Sequence, residues 1–158
     1  MEFIPVNEPL LNGNEKKYLC ECIDTGWISS EGPFVKEFEQ KMSASVNRKY
    51  GIAVSNGTAA LEIACQALDI GEGDEVIMPA FTIISCAMAV TKLGATPVLV
   101  DSDMNDWNML VDDIEAKITD KTKAIMMVHI YGLPVQVDKV LQLAKKYNLK
   151  VIEDAAEM

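Results

Sequence analysis

Short apolar runs alternate with longer amphipathic stretches along the later two thirds of the chain. Ile52-Ala53-Val54, Val76-Ile77-Met78, Pro97-Val98-Leu99-Val100, Ala124 to Val128 and Val151-Ile152 predict strands. Between them, Thr58 to Leu68, Ile83 to Leu93, Val111 to Ile118 and Val137 to Tyr147 predict helices, the first two closed by Gly71 and Gly94. Two further amphipathic helices precede this alternation, about Asn14 to Asp24 and Val35 to Ser45. Gly26 breaks the first, and "WISSEGPF" separates the two as an irregular loop.

Continuously apolar strands imply burial on both faces, and their alternation with helices implies an α/β fold with a mostly parallel sheet in three layers. Such sheets bind ligands beyond the carboxyl ends of their strands. Candidate chemistry therefore sits in Ser55-Asn56-Gly57-Thr58, Ala80-Phe81-Thr82, His129-Ile130-Tyr131-Gly132 and Glu153-Asp154.

Composition narrows the classes. A chain of 158 residues, 49% hydrophobic, is long enough to bury one core. Its net charge of −10 argues against nucleic-acid or membrane-surface partners, which select clustered Lys and Arg. Cys20, Cys22, Cys65 and Cys86 have no zinc-ribbon spacing, and His129 is the only histidine, so no metal site is expected. Reduced thiols and the lack of a basic, apolar leader in "MEFIPVNEPL" lead to the expectation of a cytoplasmic protein.

Each motif admits a plain structural reading beside a functional one. In "AVSNGTAALEIA" a strand-like run enters a small polar turn and then a helix. Free N–H groups and the helix dipole there suit an anion, with Gly57 allowing close approach and Thr58 adding a hydroxyl. An N-cap by Ser55 or Asn56 explains the same residues. Gly73-Asp74 reads as turn chemistry and Thr82 as a helix cap. His129 and Tyr131 are either packed, hydrogen-bonded strand-end residues or ligand contacts. Asp154 is either a cap or a carboxylate serving a cationic ligand atom, and the local pattern does not choose.

"WISSEGPFVKEFE", "VSNGTAALEIA", "GDEVIMPAFT", "GATPVLVD", "IEAKITDKTKAIMMVHIYGLP" and "NLKVIEDAAE" together resemble the DegT/DnrJ/EryC1/StrS family of pyridoxal-phosphate (PLP) sugar aminotransferases. The resemblance spans essentially the whole chain. It implies the N-terminal portion of the large domain of the aspartate-aminotransferase fold, fold type I. Residues 1–34 would form an N-terminal helix and substrate loop and residues 35–158 part of the PLP-binding domain, without the small C-terminal domain. It further implies that Gly57 and Thr58 hold the cofactor phosphate, that Asp154 pairs with the pyridinium nitrogen, and that Glu157 lies near the ring hydroxyl. Trp27, Ser29 and Ser30 would contribute to a nucleotide-sugar site. L-glutamate would donate the amino group, a nucleotide-linked keto sugar would receive it, and the protein would be a homodimer.

Two departures stand out. Relatives usually place an aromatic residue on the pyridine ring where this chain has Ile83, a loss of about 1 kcal/mol that Phe81 is placed to offset. The Schiff-base lysine of the family lies a few dozen residues beyond the position of Asp154, and no lysine of this sequence matches it. No catalytic residue is therefore assigned, and the chain alone is expected to be inactive. Two alternatives remain at this point. One is a nucleotide-sugar 3-dehydratase of the same family, although those relatives tend to carry His where Glu157 stands. The other is a non-catalytic remnant or interaction partner.

Overall fold

The computed structural model describes residues 3–5 and 8–158. The chain divides into two compact units, Met1–Ala53 and Val54–Met158. The first contains α1 (Glu15–Thr25) and α2 (Pro33–Ser45). Gly26 closes α1 in the left-handed conformation (φ 74°), which a glycine adopts without a Cβ penalty. Pro33 opens α2, where the missing N–H is no loss. Tyr18 and Phe34 pack with ring centroids 5.2 Å apart.

The second unit is built on a four-stranded, wholly parallel sheet in the order β2-β1-β3-β4. These strands are β1 (Glu75–Pro79), β2 (Thr96–Val100), β3 (Thr122–Val128) and β4 (Lys150–Asp154). The helices are α3 (Gly57–Ala67), α4 (Ile84–Thr91) and α5 (Val137–Tyr147). Successive side chains of a strand point to opposite faces, so each continuous apolar strand feeds two cores. Val76, Met78, Ala124, Met126 and Val128 pack with Leu61 and Cys65 of α3 and Cys86, Ala89 and Val90 of α4. Ile77, Ile125 and Met127 face the other way, onto Val111, Ile114, and Val140 and Ala144 of α5. The parallel sheet lies between these two apolar layers, as the strand pattern predicts.

Two predicted elements differ. Ile52-Ala53-Val54 is not a strand. Its amide at Ala53 donates instead to the Glu39 carboxylate at 2.9 Å, and Ile52 is exposed. An apolar triplet alone does not supply ladder partners. Val111 to Ile118 is not one α-helix but two 3-10 turns, Val111–Asp113 and Glu115–Lys117. Val111 and Ile114 are three residues apart, which is one 3-10 turn, and both are buried. No helix among the described residues is long and apolar enough to cross a membrane.

Ile125 lies in a strand with neighbours on both sides and is fully buried. Ile125→Ala is expected to cost about 3 kcal/mol of stability through lost transfer energy and a residual cavity, read from urea denaturation midpoints.

Candidate functional site

The strands β1, β3 and β4 and the helices α3 and α4 bring distant segments together at the carboxyl edge of the sheet. The α3 N-terminus is capped by Asn56, whose Oδ1 accepts the Ala59 N–H at 2.9 Å. Among the described residues, the N–H groups of Gly57 and Thr58 have no acceptor. A Cβ added at Gly57 would meet nothing within 4 Å, so the space before this helix end is open. The Thr58 hydroxyl lies 2.9 Å from that of Ser85 in the first turn of α4. The cap and the anion-type end thus coexist: Asn56 takes one donor and leaves the first two free.

The next residue of α4 reaches the acid. The Cys86 thiol donates to Asp154 Oδ2 at 3.3 Å. Asp154 Oδ1 accepts the Ala156 N–H at 3.1 Å. Asp154 ends β4 opposite Val128, and its carbonyl accepts the His129 N–H at 3.1 Å. The side chain is only 9% exposed, yet no ion pair among the described residues includes it. It lines a small cavity of about 80 Å³ with Thr82, Ile83, Val128, His129, Ile130, Ala156 and Glu157. Ile83 is 61% exposed, so this cradle is open on its outer side.

Of the residues expected at the site, Ile83, Asp154 and Glu157 share this cavity, and Thr58 is tied to it through the neighbours Ser85 and Cys86. Glu157 Oε2 accepts the Tyr131 N–H at 2.5 Å. Tyr131 and Gly132 both have positive φ, 51° and 77°, and a Cβ at Gly132 would stand 2.9 Å from the Glu157 carbonyl oxygen. The turn after β3 therefore accepts the 155–158 segment only with glycine at 132. Trp27, Ser29 and Ser30 belong to the first unit, in the exposed turn between α1 and α2. There Trp27 and Ser29 border an apolar depression with Leu19, Cys22, Ile23 and Phe34.

Several strand-end residues take definite roles. His129 is buried, with Nδ1 accepting the Val135 N–H at 3.1 Å. Its ring proton is therefore on Nε2, which donates to Glu153 at 3.0 Å. This is the packed, hydrogen-bonded arrangement, although the ring also borders the cavity. Thr82 does not cap α4. Ile83 occupies the cap position, and the Thr82 hydroxyl lies 3.4 Å from Cys86 Sγ. Phe81 does not line the cavity but packs against Trp107 and Tyr131, at 5.3 and 6.2 Å. Asp74 accepts the Gly71 N–H at 2.9 Å, as a turn residue does.

Cys86 and Ser85 were not legible as site residues. The only sequence signal is the four-residue spacing from Thr82 to Cys86, one helical turn. Burial pushes the Cys86 thiol up from the ordinary 9.0 to about 11, Thr82's hydrogen bond opposing the shift and Asp154's charge adding to it. The thiol is thus protonated, and a donor, at neutral pH. A raised acid pKa in the folded state stabilises fully below pH 9, and the contribution is lost as pH rises through about 11. Denaturation curves at pH 8 and pH 10.5 should therefore show the parent losing more stability than Cys86→Ala, by an excess on the order of 2 kcal/mol.

The chain is similar to known proteins along most of its length. GDP-perosamine synthase of Escherichia coli O157:H7 is 52% identical over 157 residues, 99% of this chain and 43% of that protein. An aminotransferase from Psychrobacter cryohalolentis superposes with a TM-score of 0.87 at 40% identity, covering 94% of this chain and 38% of the other. NtdA of Bacillus subtilis, solved with bound cofactor PMP, gives a TM-score of 0.84 at 39% identity over 89% and 32% of the two chains. The chain thus spans about two fifths of the length of the curated relatives it matches. The DegT/DnrJ/EryC1/StrS aminotransferase family matches residues 9–158, and the chain belongs to that family.

Proposed function

We propose that the chain is the cofactor-cradling part of a PLP-dependent sugar aminotransferase, most like GDP-perosamine synthase. The observation that carries this reading is the Asp154 carboxylate: buried, unpaired by any cation among the described residues, and facing a cavity. A buried charge is costly without a partner, and a ring nitrogen that gains a proton supplies one. When bound, PLP acts as an electron sink for the carbon next to a transferred amino group.

The chain's own residues do the holding. Gly57 and Thr58 would present two free N–H groups and a hydroxyl to the phosphate at the positive end of α3. Ile83 would cover one ring face with an aliphatic side chain. Asp154 would keep the proton on the ring nitrogen, and Glu157 would stand by the ring hydroxyl, held by the Tyr131 amide. Trp27, Ser29 and Ser30 would belong to the sugar-nucleotide contact, residues 1–34 forming the N-terminal helix and substrate loop and 35–158 part of the PLP-binding large domain. The substrates would be L-glutamate and a nucleotide-linked 4-keto-6-deoxy sugar, and the assembly a homodimer in the cytoplasm.

The reading is tested by titrating the chain with PLP and following the cofactor's absorbance. Asp154→Asn should weaken binding at least about tenfold, since one charge-assisted contact is lost. Equal affinity in parent and variant would sink the assignment of Asp154. None of the lysines present is assigned as nucleophile, and the 158 residues alone are expected not to transaminate. Borohydride treatment with PLP should accordingly label no single lysine stoichiometrically, and one specific adduct would overturn that statement.

A further inference from the structure

Asp154 is held by an unusual donor. A carboxylate only accepts, so the one Cys86 proton points to Oδ2, and the Thr82 hydroxyl then donates to the sulfur. The result is an ordered chain, Thr82 O–H to Cys86 Sγ, Cys86 S–H to Asp154 Oδ2, whose two ends, Thr82 and Asp154, both line the cavity. The other oxygen is fixed by the Ala156 amide. One donor on each oxygen sets the carboxylate plane and leaves its remaining lone pairs for the cavity.

We propose that Cys86 is a positioning residue: its thiol orients the Asp154 carboxylate toward the site of the cofactor's ring nitrogen. The proposal rests on the reading of Asp154 given above. Cys86 itself is fully buried, does not line the cavity, and acts only through Asp154. A thiol suits this place because it is a weak donor. It directs the carboxylate while quenching less of its charge than a hydroxyl would.

The contact is tested first without cofactor, by infrared spectroscopy of the buried thiol's S–H stretch, assigned by its loss in Cys86→Ser. The band should move to higher frequency in Asp154→Asn, because an amide oxygen is a weaker acceptor than a carboxylate. An unmoved band would overturn the proposal. PLP affinity is then compared across three variants whose side chains bracket the thiol in size. Cys86→Ser keeps a donor and should bind within about threefold of the parent. Cys86→Val and Cys86→Ala lack one and should bind about tenfold more weakly. If all three bind as the parent does while Asp154→Asn binds weakly, the positioning role is refuted and the reading of Asp154 survives. If Asp154→Asn also binds as the parent does, that reading fails and the proposal falls with it.

Discussion

A single buried charge organises the functional end of this molecule. Asp154 terminates the last strand in register with Val128, so its side chain is carried into the protein where the sheet stops. The side chain is buried there, and among the described residues the donors it receives are a thiol and one amide, not a cation. The cost of burying such a charge is tolerable only where a partner arrives. Around it lie an open cradle bordered by Ile83 and, among the described residues, a helix end with two amides that have no acceptor.

The sheet makes this arrangement rigid. Parallel pairing of β3 with β4 runs to the strand ends, Val128 opposite Asp154, while β1 pairs with β3 up to Ile77 opposite Ile125, and apolar layers clamp the sheet from both faces. α4 is anchored in one of those layers through Cys86, Ala89 and Val90. Ser85 and Cys86 sit in that turn and face different partners, Thr58 on one side and Asp154 on the other. One helical turn thereby links the N-terminus of α3 to the acid at the end of β4.

The turn after β3 shows how much backbone geometry is committed to the same edge. Tyr131 has positive φ, which a bulky side chain adopts only when its surroundings hold it there. Gly132 admits the Glu157 carbonyl where a Cβ would not fit. Trp107 is also left-handed and packs on Phe81, so the aromatic group at this edge, Phe81, Trp107 and Tyr131, is set by strained loops, not by regular elements.

The order of strands and helices was readable from local pattern because apolar runs buried on both faces, and helices with one apolar face, are short-range features. The run from Ala124 to Val128 and the helix from Val137 to Tyr147 are read from their own residues. The same logic fails where the deciding partner is not local. Ile52-Ala53-Val54 looks like a strand until Glu39 takes its amide, and Val111 to Ile118 looks like a helix until two buried residues demand three-residue spacing. Asp154 and Gly57 could be singled out by sequence, but their local pattern left both capping and ligand binding open. Only the tertiary structure brought Cys86 to Asp154 across 68 positions and left the carboxylate buried without a cation among the described residues, because burial and pairing are properties of neighbours the chain does not place side by side.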